Sequence, residues 1–91
     1  MVFITIAYTV EDFDKWKAGF DSYNEMRKAA GCQSSTVLVS PDDRNSLSIM
    51  FKWDSKENFG KYSSNPELRE AMAKSGVTSQ PEVKFWDLQA E

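Results

Sequence analysis

The stretch from Ser46 to Met72 limits the possible folds more than any other part of the chain. It opens with strict alternation. Leu47, Ile49, Phe51 and Trp53 fall on one face of an extended segment, and Ser48, Met50 and Lys52 fall on the other. Asp54, with Glu57 three residues on, then gives the spacing of a capping box at a helix start. Asn65-Pro66 repeats the start signal: a cap, then proline at the first helical position. The stretch predicts a strand over 46–53, a short helix over 55–63 and a second helical piece over 66–75, with Gly76 ending it.

The remaining elements follow from the same rules. Residues Val2 to Val10 are β-branched and aromatic, which predicts a first strand with Ile4, Ile6 and Tyr8 on one face and Phe3, Thr5 and Ala7 on the other. Asp12 is a cap candidate. Phe13, Trp16, Phe20 and Tyr23 follow at helical spacing, extended by Met26 and Ala30, so one helix is expected over 12–30, stopped by Gly31. A strand over Gln33 to Ser40 leads into Pro41-Asp42-Asp43-Arg44-Asn45, which is turn chemistry. The last strand is expected over Val83 to Leu88, after Pro81. The order β-α-β-β-α-β in 91 residues is that of a single ferredoxin-like α+β domain over 1–91, a four-stranded antiparallel sheet with its helices on one face.

That layout leaves the second sheet face without a cover, and a monomer should keep it polar. Bulky groups reach it whichever alternate is turned outward: Tyr8, Met50 and Trp86 on one assignment, Phe3, Phe51 and Phe85 on the other. The expected cover is a second copy, sheet against sheet, in a homodimer.

Bulk properties exclude several function classes. Net charge is −3 with Lys and Arg scattered among Asp and Glu, so no basic stripe meets a nucleic acid. The apolar start MVFITIAYTV is too short to span a membrane, and no membrane partner is expected. The one cysteine, Cys32, has no intramolecular partner, which fits a reducing compartment and a cytoplasmic location. Histidine is absent, so acid–base work would fall to Tyr8, Tyr23, Tyr62, a buried carboxyl group or a depressed Lys. Apart from the single Cys32, only oxygen ligands remain for a metal and no spacing resembles a calcium loop, so no metal is expected.

The run from Trp53 to Leu68, WDSKENFGKYSSNPEL, resembles the antibiotic-biosynthesis-monooxygenase-like superfamily of dimeric α/β barrels. Trp53, Ser55 and Glu57 stand where that group has a strand-end Trp, a Ser and a Glu, and Ser64-Asn65-Pro66 supplies its break before the second helical piece. DFDKWKAGFD, Asp12 to Asp21, and AGC, Ala30 to Cys32, are similar to small members of the group. The resemblance implies a pocket within each subunit, between sheet and helices. Its members include cofactor-free monooxygenases, haem-degrading monooxygenases, lactone isomerases and polyketide cyclases. The haem-degrading members use a strand-one Asn and a helix-two His. Here strand one has no Asn and Tyr62 takes the His position, so no prosthetic group is expected. Phe51 stands where the group usually has a Glu.

Tyr62 is the best catalytic candidate, and Trp53, Tyr62, Phe51, Asn58, Phe20 and Trp86 are the candidate substrate-binding residues. Each has a plain structural alternative. The tryptophans can fill the core, Tyr62 can pack with its hydroxyl at a rim, and Asn58 can serve only its helix. Asp87 is either a buried base or a solvated edge residue, and Arg69 is expected to face water. Two functions remain open at this point. One is a homodimer that binds a small aromatic or polyketide-like molecule without catalysis. The other is a cofactor-independent monooxygenase, or an isomerase or cyclase, acting on an enolisable aromatic substrate.

Overall fold

A computed structural model describes residues 1–90. Its elements are β1 (Val2–Thr9), α1 (Phe13–Ser22), α2 (Asn24–Ala30), β2 (Cys32–Val39), β3 (Ser46–Trp53), α3 (Lys56–Ser63), α4 (Pro66–Lys74) and β4 (Glu82–Trp86). The strands form one antiparallel sheet in the order β2-β3-β1-β4. The fold is ferredoxin-like α+β, and β3 has the bounds its alternation predicts.

Register decides which alternate faces the helices. Val2, Ile4, Ile6 and Tyr8 pair with Trp53, Phe51, Ile49 and Leu47, and this set carries the core. Ile4 and Trp53 are fully buried within it. The opposite face joins Phe3 to Trp86 and Lys52, and Thr5 to Met50 and Lys84. The two expected groupings of bulky residues therefore mix faces. Tyr8 lies on the helix side, away from Met50 and Trp86, and Phe3 lies on the outer side, away from Phe51 and Phe85. Apolar groups nevertheless remain on the outer face, with Leu38, Met50 and Trp86 between 42% and 51% exposed.

Two local readings are corrected. The helix expected over 12–30 breaks at Tyr23, whose φ of −98° and ψ of 6° leave helical geometry. The Tyr23 N–H donates to Phe20 O, three residues back, and Ser22 Oγ donates to Gly19 O, which tightens the turn and starts α2 anew. The start of α3 is capped by Ser55 and not by Asp54: Ser55 Oγ accepts from the Asn58 N–H at 3.1 Å. Asp54 instead accepts from Asn58 Nδ2 at 3.1 Å, so the carboxylate braces the helix start from one residue earlier.

The last strand is also corrected: β4 stops at Trp86, two residues short of the expected Leu88, because its pairing with β1 ends at Phe3–Trp86, whereas the other boundaries fall within a residue of expectation. Asp12 caps α1, and Asn65 caps α4 ahead of Pro66. Asn45, in the β2–β3 turn, accepts from the Phe13 N–H at 2.9 Å through Oδ1 and donates to Glu11 O through Nδ2. The hairpin turn is thereby tied to the first turn of α1, which sets where Trp16 and Phe20 meet the sheet. Gly31 ends α2 at a φ of +125°, a conformation that favours glycine.

Candidate functional site

The alternation of β1 and β3 and the 3.6-residue period of α1 deliver a continuous run of aromatic rings. Trp16 stacks on Phe20 at 4.9 Å between centroids, and Phe20 stacks on Phe51 at 6.2 Å. Phe51 meets Phe59 at 6.5 Å, and Phe59 meets Phe85 edge-on at 5.8 Å. Helix α4 contributes no fully buried residue, because it stands off the sheet. The space between α1, α4 and the β1–β4 side of the sheet is a cavity of about 770 Å³. That lies within the range of roughly 300–1,000 Å³ usual for small-molecule sites. Its floor is Phe51, Phe59 and Ile6; Leu68 and Met72 of α4 close one side, and the exposed Phe85 and Arg69 mark the mouth.

Polar groups converge there from three elements. Tyr8 on β1 accepts a hydrogen bond from Trp16 Nε1 at 2.8 Å and keeps its own proton to donate. Burial pushes the Tyr8 hydroxyl up to about 12, against the partial pull of the Trp16 hydrogen bond. Burial also raises the Tyr62 hydroxyl on α3, and the Arg27 guanidinium beside it holds part of that rise back. Both phenols are therefore protonated at neutral pH and each has a proton available to donate.

Arg27, on α2, is the residue that sequence reasoning missed. It is only 3% exposed and lines the cavity. Its guanidinium carbon lies 3.8 Å from the Phe20 ring centroid and 5.9 Å from that of Phe51. The apolar face of the first helical segments runs 16, 20, 23, 27, a 4-3-4 spacing, and Met26, the expected continuation, is 36% exposed. That spacing was legible, but a charged residue at the end of an apolar stripe reads as solvated by type.

Among the residues singled out from sequence, the structure brings Tyr62, Phe51 and Phe20 together on the cavity wall. Trp53 does not line it. Its ring is fully buried behind Phe59 and Tyr62, at centroid distances of 5.4 and 5.2 Å, and its Nε1 has no acceptor among the described residues. Asn58 is engaged with Asp54 and Ser55 and does not reach the cavity. Trp86 is on the outer sheet face, donating from Nε1 to Thr5 Oγ1 at 2.9 Å. Asp87 is exposed beyond the end of β4. Arg69 is exposed as expected, yet at the cavity mouth. Cys32 is buried, with its thiol pushed up by that burial. No helix among the described residues is long and apolar enough to cross a membrane.

Comparison with known proteins agrees with this fold. Residues 1–74 match the family model described as antibiotic biosynthesis monooxygenase. Among solved structures, the chain is similar to SnoaB, a cofactor-independent oxygenase from Streptomyces nogalater, at 17% identity and a TM-score of 0.81, covering 99% of this chain and 94% of that one. It is also similar to Rv0793 from Mycobacterium tuberculosis, at 18% identity and a TM-score of 0.71, covering 100% of this chain and 95% of that one. At these identities the likeness establishes a shared fold. No curated protein sequence matches the chain significantly.

Proposed function

The chain belongs to the antibiotic biosynthesis monooxygenase family, and on that premise we propose that it binds a small, flat aromatic or polyketide-like molecule in the cavity between α1, α4 and the sheet. The observation that carries this is the shape and lining of that cavity: about 770 Å³, walled by Phe20, Phe51, Phe59 and Phe85 with few polar groups. Such a wall favours a planar ring system through area and ring stacking. Trp16 lies in the wall, so a bound quinone should quench its fluorescence. Titration with 1,4-naphthoquinone and anthrone should give saturable quenching. Ala71→Trp, which fills the α4 side, should abolish it while the circular dichroism is kept. Unsaturable, weak quenching in the unmodified protein would count against a ligand site.

A catalytic reading on the same site is favoured by the two protonated phenols, Tyr8 and Tyr62, in its wall. A cofactor-independent oxygenase would bind an enolisable substrate as its anion. The anion would reduce dioxygen to a substrate hydroperoxide, whose loss of water converts a ring CH2 to C=O. The phenols would hydrogen-bond the anionic oxygen, and the aromatic wall would shield that end of the ligand from water. With these phenols held protonated, the substrate's own acidity would have to supply the anion. Oxygen uptake with a panel of anthrones and phenols, lowered by Tyr62→Phe, would support this. No uptake by a folded protein across that panel would sink it for those substrates. For assembly, the reading is a homodimer through the outer sheet face, supported by the exposed Leu38, Met50 and Trp86. A monomeric mass by light scattering at micromolar concentration would contradict it.

A further inference from the structure

Arg27 stands without the anionic partner a buried cation normally has, its polar neighbour being the neutral Tyr62 hydroxyl. It is 3% exposed, and its Nε has no hydrogen-bond acceptor among the described residues. None of the ion pairs among the described residues includes it; all six are exposed surface pairs. Among the described residues, no Asp or Glu lines the cavity, and the only other charged group there is another cation, Arg69 at the mouth. Buried charges are otherwise paired or coordinated, because leaving water unpaired costs several kcal/mol per ion.

We infer that the cavity selects an anionic ligand: a flat aromatic molecule whose negative charge is spread over two oxygens and is held by Arg27. The inference rests on the proposed ligand site and adds the charge to it. The guanidinium is a planar fork of N–H donors matched to two oxygens on one plane. Phe20, against the guanidinium, and Phe51, 5.9 Å away, place a ring-bearing ligand's charged end beside the aromatic wall. Tyr62, next to Arg27, supplies a further donor. Two chemical sources present such an anion: an aryl carboxylate, and the vinylogous enolate of a hydroxyquinone.

The test uses shape-matched pairs at neutral pH. 2-Naphthoate is compared with 2-naphthamide, and 2-hydroxy-1,4-naphthoquinone, which is ionised, with its neutral methyl ether. Binding is read by calorimetry. The expected result is a preference of about 10–100-fold for the anion in at least one pair, as charge-assisted hydrogen bonds imply. The pair that shows it identifies the source. In Arg27→Met the preference should vanish while the neutral probes keep their affinity. Arg27→Gln serves if the methionine variant does not fold. Equal affinity within both pairs in the unmodified protein overturns the anion assignment and leaves the aromatic site standing. A preference that survives loss of Arg27 overturns the role of that residue. No binding of any of the four probes overturns both readings.

Discussion

Arg27→Met should make the protein more stable. The side chain is 3% exposed and without an anionic partner, so the folded state carries the residual cost of desolvating one ion, several kcal/mol and here taken as about 3. Against it stands the attraction of the guanidinium for Phe20 at 3.8 Å, with a weaker share from Phe51 at 5.9 Å, together about 2 kcal/mol in a desolvated setting. Methionine retains an unbranched stem of similar reach and needs no acceptor for Nε. The net expectation is a gain of about 1 kcal/mol, or a rise in Tm of roughly 4–8 °C for a domain of this size. Urea unfolding followed by tryptophan fluorescence measures it. Both proteins must be at one concentration, because self-association would shift the apparent stability. Arg44→Met is the control. Arg44 pairs with Asp14 at the surface with 63% of its side chain exposed and lies 4.7 Å over the Phe13 ring, so its removal should cost no more than about 1 kcal/mol and bring no gain. A loss of 1 kcal/mol or more in Arg27→Met would refute the reasoning, since it would mean the fold itself satisfies the charge. A gain would mean that stability is given up at this position, as expected of a binding residue.

Tyr8 makes stability fall in alkali. Its folded hydroxyl is raised to about 12 from 10.0, so between those values the unfolded chain loses a proton that the folded one keeps. The stabilisation is present below pH 10 and about 2–3 kcal/mol of it is lost as pH rises towards 12; Tyr8→Phe should flatten urea midpoints over that interval. The same variant removes the acceptor of Trp16 Nε1 and should cost about 1–3 kcal/mol at neutral pH, so a neutral-pH stability equal to the parent would discount that bond. Gly31→Ala should cost about 1–3 kcal/mol, from its φ of +125° and from a Cβ that would meet the Asp54 carboxylate. Gly60→Ala, in α3 with nothing near the new methyl, should instead gain about 0.5–1 kcal/mol; thermal unfolding of the two variants checks the opposite signs. Trp53→Ala should cost about 3–5 kcal/mol, because the ring is fully enclosed; a cost under 1 kcal/mol would show that the core closes around the gap.

The sequence by itself determined the order of strands and helical stretches, though not the break at Tyr23 or the end of β4, because most of their signals are local. A two-residue alternation marks β3, Asn65-Pro66 starts α4, and Gly31 stops α2. From that order the ferredoxin-like layout follows, since few arrangements of four strands and intervening helices bury both periodicities at once. Only the tertiary structure decided which alternate of each strand meets the helices. Alternation splits a strand into two sets but carries no sign, and pairing with the neighbours supplies it: Tyr8 goes with Leu47 and Phe51, and Trp86 goes with Phe3. The same limit applies to the site. Tyr62, Phe51 and Phe20 could be named from sequence, but Trp53 and Trp86 carry equal aromatic character and lie behind the wall or on the far face. Arg27 was hidden by its type. Whether a cation at helical spacing is solvated or enclosed depends on what α3 and β3 place around it, and here they surround it with Tyr62, Phe51 and no carboxylate.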